Sequence, residues 1–200
     1  LNLGLALLAA HRGDAAGALA AARQLVDQHP PQRGPWSLAG NLFYAARVAA
    51  VFDDLAALDG YLAELQALRG RVPAALDDLL LPLLGVRAAL QGERARALQL
   101  LAAAVADEHR SDRLGLAVET RLRLAAEQLA DGQDAAVVQT LSPLAERVRT
   151  HAGVGGLLMA PTALRALASA AAAGRLGEDV GRAVTGWAAM LPPPVGPGVK

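Results

Sequence analysis

Residues Leu84–Ala104 read LGVRAALQGERARALQLLAAA, and this stretch decides the fold class. Gly92-Glu93 is a short polar break between two runs built mainly of Ala and Leu. Leu84, Ala88, Ala97, Leu101 and Ala104 recur at steps of four, then nine across the break, then four and three. Steps of three and four set an apolar stripe along one face of a helix, so the stretch predicts a helix on each side of a turn. Glu93 adds a negative charge where the second helix begins, beside the positive end of its dipole.

Similar breaks occur at Gly13-Asp14, Asp53-Asp54, Gly132-Gln133 and Gly174-Arg175, so five turns follow one another at intervals of 40, 39, 40 and 42 residues. A fixed period of this size marks a repeat architecture. The flanking segments predict ten helices, at 1–11 and 15–28, 36–51 and 55–68, 76–90 and 94–107, 116–130 and 135–149, and 162–173 and 178–190. Proline at the junctions and glycine just past a helix end are the expected punctuation, as at His29-Pro30-Pro31 and at Gly70 with Pro73. No segment alternates with period two long enough to make a strand. The expectation is an all-α fold: about five antiparallel helical hairpins, ten helices, stacked as an α-solenoid over residues 1–191. A disordered Pro/Gly-rich tail over 192–200 is expected to follow.

Composition narrows the function classes. Hydrophobic residues make up 54% of the chain and aromatics only 3%, so the core must be close-packed Ala, Leu and Val, which suits helices better than a sheet. The 19 basic and 19 acidic residues cancel. With no basic excess or stripe, binding of nucleic acid by this domain is not expected. Without cysteine there is neither a disulfide framework nor a thiolate metal site, and the compartment stays open, with the cytoplasm as the expectation. No apolar run reaches the ~20 residues of a membrane span, so no membrane insertion is expected. The chain opens on Leu1 with no signal-peptide pattern and reads as part of a longer protein.

The first hairpin runs Leu5-Ala6, Gly13-Asp14, Ala18, Ala22, Leu25 and Pro30. The third runs Leu84-Gly85, Gly92-Glu93, Ala97, Leu101 and Ala104, and the fourth Leu124-Ala125, Gly132-Gln133, Val137, Leu141 and Leu144. This order of residues resembles the tetratricopeptide repeat, although that unit has 34 residues and its Trp and Tyr positions are mostly aliphatic here. Elongated repeats of this kind look like the helical-repeat regions attached to bacterial regulators and signalling proteins. The resemblance implies a non-catalytic scaffold that binds a protein or peptide. Alternatives are a small-molecule-sensing repeat domain of a transcriptional regulator and a dimerisation segment, in which the chain associates with itself.

The family's groove positions, carried onto this sequence, are Leu3, Leu7 and His11, then Phe43 and Arg47, then Val86 and Leu90, then Leu122 and Ala126. They form a largely apolar concave face with Arg47 as its one charge, suited to an amphipathic helix or apolar peptide. The competing expectation is that these side chains pack against another part of the same protein or against a second copy.

No other cluster carries chemistry, so no enzyme, metal or cofactor is expected. His11, His29, His109 and His151 share no helix face with a second ligand at metal spacing. Asp53-Asp54 and Asp77-Asp78 are adjacent pairs whose side chains diverge, and they read as turn and cap residues. Gly153-Val154-Gly155-Gly156 lacks the Lys-Ser/Thr of a phosphate loop and reads as a flexible connection. Ser37, Ser111, Ser142 and Ser169 lack a nucleophile elbow. Trp36 and Trp187 read as packing anchors.

Overall fold

A computed structural model describes residues 2–73, 75–106, 116–149 and 154–193. Eleven α-helices lie among the described residues, with one 3-10 turn at Pro31–Arg33 and no strand. They are α1 (Asn2–His11), α2 (Ala15–Asp27), α3 (Gly34–Val51), α4 (Leu55–Ala67), α5 (Ala75–Leu90), α6 (Arg94–Ala106), α7 (Ala117–Ala130), α8 (Asp134–Arg149), α9 (Val154–Leu157), α10 (Pro161–Ala172) and α11 (Glu178–Ala188). The ten long helices start and stop within about two residues of the positions that periodicity and punctuation predict. The tail expected over 192–200 lies outside the described residues from 194 onward.

The turn is built the same way at all five breaks. Gly13, Asp53, Gly92, Gly132 and Gly174 adopt positive φ, from 54° at Asp53 to 78° at Gly92. In each turn the next residue donates its N–H to the carbonyl five positions back: Asp14 to Ala9, Asp54 to Ala49, Glu93 to Ala88, Gln133 to Gln128 and Arg175 to Ala170, all at 2.9–3.0 Å. The left-handed residue itself donates to the carbonyl three back, as Gly92 does to Ala89 at 3.0 Å. These two bonds are the Schellman closure of a helix end, and they satisfy carbonyls that would otherwise lack a donor. In the first four turns the residue that closes one helix also caps the next. The carbonyls of Asp14, Asp54, Glu93 and Gln133 accept from Ala18, Leu58, Ala97 and Val137, and the Asp14 and Asp54 carboxylates accept from the N–H of Gly17 and Ala57. One residue therefore ends a helix and starts its neighbour, which reverses the chain tightly.

Counting from the left-handed residue, one position before the turn is buried at all five breaks and two positions after it at the first four; after Gly174 the matching Asp179 is exposed and Ala183 half-buried. Seven residues earlier stand Ala6, Ala46, Gly85, Ala125 and Leu167; five residues later Ala18, Leu58, Ala97 and Val137; nine later Ala22, Leu62, Leu101 and Leu141. In the first four turns the small residue of the first set (Ala6, Ala46, Gly85, Ala125) lets the two flanking helices approach closely, while the fifth has Leu167 there. Gly85 is the extreme case, because a Cβ there would stand 2.7 Å from the Leu101 Cγ on α6.

The chain forms two compact units, one over Leu1–Leu76 together with the chain from Leu191, the other over Asp77–Met190. In the first, α1 packs on α2 and α3, α2 on α3, and α3 on α4. In the second, α6 packs on α7, α7 on α8, α9 and α10, α8 on α11, and α10 on α11.

The structure differs from the sequence expectation around the Gly-rich segment. Val154–Leu157 makes a helical turn, α9, that packs on α7. Gly156 is buried there, with a would-be Cβ 2.7 Å from the Val118 Cβ, so its bare backbone serves close packing where flexibility was expected. Asp77 and Asp78 fall in the first turn of α5 and not in a connecting turn. Trp187 is buried as an anchor, but Trp36 stands 54% exposed in the first turn of α3. The helix begins at Gly34, two residues ahead of the predicted Trp36.

Candidate functional site

The residues expected to line a binding face occupy one helical stripe, ten, six and two positions before the left-handed turn residue. Burial grades along it. Ten before, Phe43 and Leu122 are buried; six before, Leu7 is partly exposed while Arg47 and Val86 are buried; two before, His11 and Leu90 are partly exposed. Phe43, Val86 and Leu122 thus pack inside the protein, and Leu7, His11 and Leu90 keep surface of their own. Ala126 is partly exposed, and the side chain of Leu3 lies outside the described set. Leu7, His11, Phe43 and Arg47 belong to the first compact unit, Val86, Leu90 and Leu122 to the second.

Arg47 is the chemically distinctive member. Its guanidinium carbon lies 5.9 Å from the Phe43 ring centre and 5.8 Å from that of Tyr44, while the two rings meet edge to face with centres 5.6 Å apart. Phe43 and Tyr44 precede Arg47 by four and three residues, so the α3 backbone alone sets the three side chains together. A cation facing two aromatic faces in a site with little water gains quadrupole attraction that replaces part of its lost hydration. The arrangement can hold a fixed positive charge in an apolar wall.

Other polar groups tie helices together. Asn41 on α3 donates to the Leu25 carbonyl at 2.9 Å and stands 3.2 Å from the His29 Nδ1. Arg121 donates to the Thr140 carbonyl at 3.2 Å, the Thr140 hydroxyl to the Gln128 Oε1 at 2.8 Å, and Arg123 to the Met159 carbonyl at 3.1 Å. Arg175 grips Asp134 with two bonds, of 3.0 and 2.6 Å, and reaches the Leu129 carbonyl at 3.4 Å. The Arg175 bonds hold the Asp134 carboxyl below its ordinary range. Burial pushes the Glu127 carboxyl up, against the opposing pull of Arg94 and Arg123. Sequence reasoning did not single out these ties, because local spacing does not tell a surface polar side chain from one that reaches a neighbouring helix. The available signal was Asn41, an isolated amide in an otherwise apolar stretch.

Among the described residues no three His, Asp or Glu side chains gather as a metal site, and no helix is long and apolar enough to cross a membrane. His109, His151, Ser111 and Gly153 lie outside the described residues. The Ser142 and Ser169 hydroxyls donate back to helical carbonyls, those of Val138 and Arg165. Asp53 and Asp54 serve the turn and the cap as expected. No protein-family model, no curated protein and no solved structure matches this chain.

Proposed function

We propose that this chain is the binding scaffold of a larger bacterial regulatory or signalling protein, built of tetratricopeptide-like helix pairs in an α-solenoid. It holds a protein or peptide and performs no chemistry of its own. The observation that carries the proposal is the shared closure of the helix end at all five turns, spaced 40, 39, 40 and 42 residues apart, with the closing residue also capping the next helix in the first four. Repeats made this way bury their faces against their neighbours, and their remaining surface is free for recognition. Leu7, His11, Leu90 and Ala126 are the described groove positions with surface left to offer.

The test is a displayed library of helical and extended peptides, with hits measured by calorimetry on the purified chain. Amphipathic helical peptides of micromolar affinity are expected. Leu90→Glu or Leu7→Glu is expected to weaken those hits without lowering the melting temperature. If no peptide binds, and an apolar small molecule raises the melting temperature instead, the sensor alternative takes its place.

A further inference from the structure

Helix α1 carries an uncovered stripe of leucines; its counterparts on α3 and α7 are covered wholly or in part, whereas those on α10, Ala166 and Ser169, are exposed but small or polar. Leu5 and Leu8, eight and five residues before Gly13, are 48% and 45% exposed. The residues in the same register before Asp53 are Ala45 and Val48 on α3, both 0% exposed, and before Gly132 they are Leu124, 4% exposed, and Glu127 on α7. What covers those counterparts can be read from the polar contacts on the same stripes. Asn41 lies four and seven residues before Ala45 and Val48, hence on one face with them. It bonds to Leu25 in the last turn of α2 and reaches His29 just beyond it. Glu127 meets Arg94, the first residue of α6, at 3.8 Å. In both places the cover is the second helix of the preceding pair, and it runs antiparallel: the end of α2 lies beside the first half of α3, the start of α6 beside the end of α7.

The stripe on α1 has a further member. Arg12, four residues after Leu8, is exposed and closes the same face at the C-terminal end of the helix. From Asn2 to Ala10 the helix carries no charge. A helix laid antiparallel on this face would bring its own N-terminal turn beside Arg12, where an acidic residue is favoured twice, by the guanidinium and by the dipole of its own helix. We infer that α1 is a docking site for an amphipathic partner helix with an uncharged Ala/Leu stripe and an acidic first turn, bound antiparallel across Leu5, Leu8 and Arg12. The inference rests on the repeat register of the proposed function, but it places the partner on a different face of α1 from Leu7.

The probe is a capped peptide with the sequence of residues 14–28, DAAGALAAARQLVDQ, which has an acidic start and an Ala/Leu stripe. It is titrated to millimolar concentration into the full chain and followed by NMR. Saturable shifts confined to α1 and its neighbours are expected. Leu5→Glu with Leu8→Glu is expected to weaken binding at least about tenfold, and Leu5→Ala with Leu8→Ala serves if the glutamates disturb α1. Trp36→Glu, another exposed apolar residue off this face, should change nothing. Arg12→Glu should weaken binding about two- to fivefold, and a peptide with Lys in place of its leading Asp should restore it. Absence of shifts at millimolar peptide overturns the inference, as does insensitivity to Leu5 and Leu8. It also fails if these substitutions abolish self-association, since a second copy is then the occupant. Peptides from the library that bind through Leu7 or Leu90 and ignore Leu5 and Leu8 would overturn the α1 site while leaving the scaffold proposal standing.

Discussion

Gly85 leaves no space for a side chain, since Leu101 fills the volume that a Cβ would enter. Gly85→Leu is expected to cost about 1–3 kcal/mol by overpacking, measured as a lowered midpoint in urea or heat. Gly60 shows the opposite case. It is exposed within α4 with no atom close to a would-be Cβ, so Gly60→Ala should stabilise by about 0.4–1 kcal/mol through helix propensity. Two glycines in helices thus differ in sign for a reason that only the neighbouring helix supplies. Charge behaves likewise at this scale. Burial raises the Glu127 carboxyl, so its contribution to stability is full below the unfolded value of about 4.3 and falls as pH rises through the folded one. Glu127→Gln should flatten that decline in a series of melts from pH 3.5 to 7. Asp134 has the opposite sign: Arg175 lowers it, so its contribution holds above the unfolded value and is lost as pH falls through the folded one.

At the scale of elements, the helix boundaries follow from capping chemistry. A glycine at positive φ ends a helix without steric cost, whereas a residue with a Cβ meets its own carbonyl there. Gly92→Ala, at φ 78°, should therefore cost about 1 kcal/mol in a denaturant melt, and Asp53→Gly, at φ 54°, should stabilise or leave the midpoint unchanged. Asp54→Ala removes the acceptor for the Ala57 N–H and should cost about 0.5–2 kcal/mol. These signals are local in sequence, which is why the ten long helices were legible from it. The short helix α9 was not. Its glycines look like a loop, and its order comes from Gly156 lying against Val118, a contact across 38 positions of chain.

At the scale of the whole molecule, the candidate face separates into buried and accessible members. Phe43→Ala is expected to cost about 3–5 kcal/mol as a core truncation, while Leu90→Ala, partly exposed, should lower the melting temperature much less. Comparing the two melts, with peptide binding measured on the same proteins, separates packing from recognition. The register of the face was legible, because Leu7, Arg47 and Val86 stand at one distance from their turns. Its exposure was not, because burial depends on which other helix lies over each stripe.

The sequence by itself determined the helices, their ends and the common register of their turns, since propensity, capping and left-handed glycines act within about five residues of chain. Tertiary packing alone decided which stripe is covered. Leu5 and Ala45 hold the same place before their turns, and they differ because α2 lies against α3 while the matching face of α1 is open. Contacts between helices far apart in sequence follow from shape and volume, which no single stretch of residues encodes.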